Sequence, residues 1–460
     1  MSRQRVIVVG GGVGGYPAAI RAARLGADVT LVEREKIGGV CLNKGCIPTK
    51  VFLHSASIYR EIKRASLFGL NTEKLEIDFN RLLARKKTIV DRLTGGVTSL
   101  LKNKNVKVLK GTASFTDSKS MKILETGEVL TGDKFILATG SIPAKLSIDG
   151  SENVPLMTSD DLLNIESLPN SLLIIGGGYI GVELGQFYSR MGVKVSIVEM
   201  LNRIIPTEDE EISRALEGFL SKEGISIFTQ AKVEKIKKDG ENKRVIFSIP
   251  EGKKEMITSE VAQTVGRKPH YLGMNIEKIG LKTDMGRITV NDRMETNIPH
   301  IYAVGDVTGG IMLAHVAMAE GECAARNALG YSSSVSYLAV PRCIYTSPEV
   351  ACVGLTEREA IKEKGEVQVG RFPFHAVGKA ALTEETEGMI KIVAGKKYGE
   401  ILGVHIIGPH ATELISEATL AIEMEVTVEE MAHTIHPHPT LSEGLGEAAM
   451  LLSGGALHLP

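Results

Sequence analysis

Two cysteines, Cys41 and Cys46, stand five positions apart in the run Gly38-Gly39-Val40-Cys41-Leu42-Asn43-Lys44-Gly45-Cys46-Ile47-Pro48-Thr49-Lys50. Their spacing lets two sulfurs close a small disulfide loop. Lys50, together with a helix expected to begin near Pro48, would lower a thiol pKa and favour the reactive thiolate. Structural zinc is the competing chemistry for paired cysteines, but Cys323, Cys343 and Cys352 form no second knuckle, so redox work is the expectation and no metal is expected. Near the other end, His433, His436 and His438 precede Pro439-Thr440-Leu441-Ser442-Glu443. Pro437 and Pro439 preclude a regular helical ligand face. His438 reads instead as a base for a thiol, oriented by the Glu443 carboxylate. Thr440-x-x-Glu443 also fits a capping box, which would make Glu443 part of a helix start; the two roles are compatible.

A second kind of chemistry lies in the glycines. Gly10-x-Gly12-x-x-Gly15 and Gly176-x-Gly178-x-x-Gly181 each follow an apolar run and precede a helical pattern, with Glu33 or Glu199 placed 23 positions after the first glycine. In such a turn the first glycine permits the bend and the second lets backbone N–H groups reach a pyrophosphate. The third lets helix and sheet pack closely, and the acidic residue accepts from a ribose 2′-hydroxyl. Glu199 would repel a 2′-phosphate and so favours NAD over NADP, with Arg203 nearby as the counter-argument.

These residues need scaffolds. Val6 to Val9 is expected as a buried strand, Pro17 to Leu25 as a helix and Asp28 to Glu33 as a returning strand; Leu172 to Ile175, Val182 to Met191 and Lys194 to Glu199 repeat the unit. The alignment needs no gap: Gly10, Gly12, Gly15, Arg24, Gly26, Val29, Val32 and Glu33 fall on Gly176, Gly178, Gly181, Arg190, Gly192, Val195, Val198 and Glu199. An internal duplication of this length implies two nucleotide-binding domains. Phe135 to Gly140, Val261 to Gly266 and Ile301 to Asp306 read as further core strands returning to these sheets, with a boundary near Gly150. Beyond Val340, strand-like Gly388 to Val393 and Ile401 to Ile407 followed by a helical Thr412 to Met424 suggest a separate α+β domain.

At 460 residues the chain has length for about three domains, and 54 basic against 55 acidic residues exclude a global nucleic-acid footprint. Five cysteines are too few for a secreted disulfide framework, so a cytoplasmic location is expected. The glycines interrupt the uncharged amino-terminal run, so neither a signal sequence nor a membrane span is expected there. From Tyr398 onward there are nine glutamates and no Lys or Arg, either a solvated face or a docking surface for a basic partner.

Taken in order, the first glycine turn with Glu33, the GGVCLNKGCIPTK run, the second glycine turn with Glu199, Ile301-Tyr302-Ala303-Val304-Gly305-Asp306 and the HPHPTLSE segment resemble the flavoprotein disulfide reductases, or class I pyridine nucleotide-disulfide oxidoreductases, over essentially the whole chain. The resemblance implies an α/β fold of two Rossmann-like FAD/NAD(P)-binding domains and a carboxy-terminal α+β dimerisation domain. Residues 1–149 would bind FAD, 150–270 NAD, 271–340 would complete the FAD domain and 341–460 would form the interface. It also implies that Lys50, Ala113, Asp306 and Ala314, followed by His315, contact FAD, that Val233 and Gly266 help bind NAD, and that Val316 departs from a lysine many relatives carry. The implied activity is oxidation of protein-bound dihydrolipoamide. His438 of a second subunit takes a thiol proton, the substrate attacks Cys41, and Cys46 passes electrons by way of FAD to NAD+. Implied partners are a second copy of the chain, lipoyl domains and the E2 subunit-binding domain of a 2-oxo acid dehydrogenase complex, or a lipoylated H protein. A flavin-binding protein without turnover is the alternative, against which the Cys41, Cys46, His438 and Glu443 set argues.

Overall fold

The computed structural model describes residues 3–459. Arg5–Val9, an almost uninterrupted aliphatic run, forms the middle of a five-stranded parallel sheet. Its neighbours are Asp28–Glu33 and Lys134–Leu137, with Lys107–Lys110 and Ile301–Ala303 outermost. Such continuous hydrophobicity is required because both faces are covered. Val6 and Val8 enter one core with Ala18, Ala19 and Ala22 of the helix Gly15–Arg24, whereas Ile7 and Val9 enter another with Phe115, Phe135 and Leu137.

The second sheet repeats this plan with Ser171–Ile175 between Lys194–Val198 and Glu260–Gln263, and Ser226–Phe228 beyond Lys194–Val198. Leu172 and Ile174 face one core, Leu173 and Ile175 the other. The repetition is longer than the glycine turns suggest. Before its closing strand, each unit inserts a three-stranded antiparallel meander: Ala113–Asp117, Ser120–Ile123 and Val129–Thr131 in the first, Lys232–Asp239, Asn242–Ile249 and Gly252–Thr258 in the second. Ile301–Ala303 is the strand by which the chain returns, after the second unit, to the first sheet.

The remaining large sheet is antiparallel, in the order Arg342–Ile344, Glu349–Gly354, Ile401–Gly408, Met389–Gly395, Val367–Pro373. Helices Ala411–Glu423 and Glu443–Ser453 share its apolar core. Most expected elements lie within one to three residues of these bounds. The first helix begins at Gly15 rather than Pro17, and the one after the cysteines begins at Cys46 rather than near Pro48. Among the described residues no helix is long and apolar enough to cross a membrane.

Candidate active site

Cys41 lies on the short helix Gly39–Lys44, and Cys46 opens the helix Cys46–Lys63, with Gly45 between them at φ −141° and ψ −107°. Asn43 braces the first helix by donating to Ile37 O at 3.0 Å and Gly39 O at 2.9 Å, and the Thr49 hydroxyl donates to Gly45 O at 2.7 Å. Both cysteines are free thiols, linked by a hydrogen bond. That bond from Cys41, supported by the Lys50 charge, brings the Cys46 thiol down to about 7 although burial opposes it. Cys41 is pushed the other way, by sharing its proton with Cys46 and by burial. In the reduced pair the thiolate is therefore favoured on Cys46 and the proton on Cys41. An 18-residue helix whose positive end meets Cys46 favours the same assignment.

Lys50 is fixed from the second unit. Its ammonium donates to Glu183 at 2.8 and 3.0 Å and lies 4.4 Å from the centre of the Tyr345 ring. Glu183, buried on the helix Tyr179–Arg190, also accepts from Tyr345 N at 2.8 Å, so three parts of the chain meet at one carboxylate.

The cysteines open onto a cleft of about 1830 Å³ that runs between the two sheets. Gly10, Gly12, Glu33, Lys50, Asp306, Ala314 and His315 line one part of it, and Gly176, Gly178, Glu199, Val233 and Gly266 another. The glycine turns fit dinucleotides for a reason visible in the packing. A Cβ at Gly15 would stand 1.8 Å from Gly10 O, and one at Gly181 2.1 Å from Gly176 O, so the third glycine of each turn is demanded by the fold itself. A Cβ at Gly178 would meet nothing within 4 Å, and one at Gly12 only Gly39 Cα at 3.7 Å. The second glycine leaves open the space into which a pyrophosphate fits. Thr139 on the same wall holds a buried hydroxyl without a partner.

Glu33 and Glu199 have a second task that spacing alone did not reveal. Glu33 accepts from Gly11 N and Glu35 N, both at 2.7 Å; Glu199 accepts from Gly177 N at 2.6 Å and Leu201 N at 2.8 Å. Each carboxylate braces its own glycine turn and retains lone pairs for ribose hydroxyls. Arg203 is no rival for a 2′-phosphate. Its guanidinium donates to Pro206 O at 2.8 Å, and the residue lines a separate, smaller cavity rather than the cleft.

Not every expected site residue meets the cleft. Ala113 is 2% exposed in the first meander and packs into the core, so its side chain is absent from the wall; Lys110 stands there instead. His438 and Glu443 are also outside it, whereas Arg342, Cys343, Tyr345, Thr412, Ile415 and Ser416 are among the carboxy-terminal residues that reach it. The expected capping box needs correction: the helix starts at Glu443 with Ser442 as its cap, and the Thr440 hydroxyl donates to Pro437 O. Glu443 accepts from Thr440 N at 2.8 Å and holds His438 Nδ1 at 2.7 Å, so the orienting geometry is present. His436 is separately paired with Glu417 at 2.9 Å.

Sequence reasoning missed Glu183, Arg267 and Ser141. Arg267 donates to the Ser141 hydroxyl at 2.7 Å and to Ser141 O at 2.9 Å, and Ser141 donates in turn to Asp306. No local motif announces such contacts, since Ser141 and Asp306 are 165 positions apart.

Two dinucleotide cradles and a polarised dithiol sharing one cleft define a redox protein that moves electrons between sulfur and nucleotides. Residues 4–321 match the family described as pyridine nucleotide-disulphide oxidoreductase, and residues 340–449 match that family's dimerisation domain. The chain is 44% identical to a dihydrolipoyl dehydrogenase of Thermus scotoductus, covering 100% of this chain and 99% of that one. It is 42% identical to a dihydrolipoyl dehydrogenase of Bacillus subtilis, with 98% of each covered. Among solved structures, LpdA of Mycobacterium tuberculosis superposes with a TM-score of 0.88 at 28% identity, covering 98% of this chain and 99% of that one. The HOCl-induced flavoprotein disulfide reductase RclA of Escherichia coli gives 0.87 at 27%, covering 97% and 100%. The chain belongs to the pyridine nucleotide-disulphide oxidoreductases. It is an oxidoreductase with FAD and NAD as cofactors and carries the family's dimerisation domain.

Proposed function

We propose that the chain oxidises protein-bound dihydrolipoamide to lipoamide with reduction of NAD+, as a homodimer in the cytoplasm. The observation that carries this reading is the Cys41 and Cys46 pair at the start of the helix Cys46–Lys63, beside Lys50, in a cleft with two dinucleotide cradles. His438 Nδ1–H is turned onto Glu443, which leaves Nε2 as the basic nitrogen, and that nitrogen takes a proton from the first substrate thiol. The resulting thiolate attacks Cys41 Sγ in the oxidised pair, breaks the Cys41–Cys46 bond and leaves the electron pair on Cys46 Sγ. The second substrate thiol, deprotonated in turn, attacks the mixed disulfide, closes lipoamide and releases Cys41 as the group that regains a proton. Lys50 and the helix start hold the charge on Cys46.

FAD, when bound, would supply the two-electron carrier between the dithiol and NAD+. The first glycine turn with Glu33 and the Asp306 carboxylate would hold the FAD, and the second turn with Glu199 the NAD. Because His438 and Glu443 lie outside the cleft wall that bears the cysteines, the base is assigned to the second copy of the chain. The partners that follow are lipoyl domains of a 2-oxo acid dehydrogenase complex or a lipoylated H protein. The acidic carboxy-terminal segment is assigned to docking the basic E2 subunit-binding domain. The deciding assay supplies the FAD-loaded protein with dihydrolipoamide and NAD+, and in parallel with oxidised glutathione and NADPH. Rapid NADH formation in the first and negligible turnover in the second support the reading; the reverse rejects it.

A further inference from the structure

We propose that Glu320 is a positioning residue for the FAD site: a buried carboxylate behind the cleft wall that holds the Gly305–Asp306 turn in place and, ionised, adds negative charge behind that wall. Glu320 lies on the helix Ala314–Ala328, whose first turn forms the cleft wall at Ala314, His315 and Ala317. One turn further on, it is 3% exposed. A buried carboxyl without partners would be a heavy penalty, yet this one has two donors. Gly305 N donates to Oε2 at 2.6 Å and the Tyr337 hydroxyl donates to Oε1 at 2.8 Å. Burial, with the neighbouring Asp306 charge, pushes this carboxyl up, while both partners offer hydrogens and so favour the ionised group against that shift.

Gly305 is where its effect enters the site. Its φ of +71° lies in the left-handed region, and the turn it makes, Gly305–Thr308, is the one that presents Asp306 to the cleft. Asp306 is held from the opposite side by Ser141, itself clamped by Arg267. The aspartate expected to hold the ribityl chain is therefore gripped at its side chain from the front and at the preceding N–H from behind. Glu320 supplies the rear grip, and its charge would disfavour added electrons on the flavin.

This inference rests on the reading that the first unit binds FAD, and the test separates the two. FAD binding to the apoprotein is measured by quenching of flavin fluorescence, and the midpoint potential of the bound flavin by dye equilibration, for the parent chain, Glu320→Gln and Tyr337→Phe. A parent chain that takes up no flavin rejects the FAD reading itself. If the parent binds, Glu320→Gln is expected to bind FAD about tenfold more weakly and to move the two-electron potential upward by about 30 mV, the equivalent of a tenfold change in equilibrium. Tyr337→Phe, whose ring sits at a half-open surface, keeps the Glu320 charge while removing one of its donors, and is expected to weaken FAD binding by less and to give no upward shift of potential. FAD affinity within twofold of the parent and a potential within about 9 mV of it in Glu320→Gln, the equivalent of twofold in equilibrium, whatever happens to melting temperature, would overturn the assignment and leave Glu320 a packing residue.

Discussion

His438 Nδ1 stands 2.7 Å from Glu443 Oε1, yet the imidazole is 78% exposed on the surface of its own chain. On the proposed reading this exposed, oriented base serves the cysteine pair of a second copy of the chain. Glu443→Gln leaves an oxygen that still accepts from Thr440 N but removes the charge that steadies a protonated imidazole. Turnover with dihydrolipoamide is expected to fall on the order of 10²-fold with little change in melting temperature. A large loss of stability with unchanged turnover of the folded fraction would instead assign Glu443 to the helix start alone.

The two kinds of glycine in each turn separate binding from folding. In Gly178→Ala the added methyl enters open space at a φ of −74°, so stability should stay within about 0.5 kcal/mol of the parent. The same methyl occupies the space assigned to the NAD pyrophosphate, and KM for NAD+ is expected to rise at least about tenfold, or about 1.4 kcal/mol. Gly181→Ala drives its methyl to 2.1 Å from a backbone oxygen and should cost about 1–3 kcal/mol of stability. Thermal unfolding and steady-state kinetics on the two variants check the split.

That contrast also shows which features were legible in the linear chain. The strand, turn and helix around Gly10 and Gly176 follow from short-range rules, and their repetition 166 positions apart made two cradles readable. The cysteine pair was readable for the same reason. Contacts made by the fold were not: Lys50 reaches Glu183 across 133 positions, and nothing near Lys50 specifies a partner. Arg203 was ambiguous because spacing places it near the ribose carboxylate without saying where a long side chain turns. The meanders escaped notice because mixed, half-exposed strands such as Lys232–Asp239 lack the aliphatic continuity of the parallel strands.

The acidified Cys46 predicts a pH dependence with a definite sign. Its thiol lies at about 7, below the ordinary cysteine range, so in the reduced protein the thiolate is present above that pH and is lost as pH falls through it. Ultraviolet thiolate absorbance of the reduced apoprotein should therefore show a first step near neutrality rather than one to two units higher. Removing the Lys50 charge should raise that step by about one unit. The variant to use is Lys50→Met with Glu183→Gln, because Lys50→Met alone leaves a buried carboxylate unpaired. Because Glu183 itself pushes the Cys46 thiol up, the reference is Glu183→Gln alone, and a first step no higher in the double variant than in that reference would mean that Lys50 has no part in holding the thiolate.

Lys391 offers a test of how the second nucleotide unit is joined to the carboxy-terminal sheet. Only 1% of its side chain is exposed, and its ammonium meets Asp209 at 2.9 Å, Glu357 at 2.7 Å and Glu211 at 3.3 Å. Asp209 is 3% exposed and also caps the helix Glu210–Lys222 by accepting from Glu211 N at 3.1 Å. In Lys391→Met the lysine stem is replaced in kind, but Asp209 keeps a charge with neither water nor ammonium to receive it. Breaking one side of such a pair costs about 3–5 kcal/mol, whereas replacing both sides is far milder. Lys391→Met should therefore unfold at a clearly lower temperature, and adding Asp209→Asn should restore most of the loss. Equal melting temperatures for the parent and Lys391→Met would show that the pair contributes nothing to holding these two parts together.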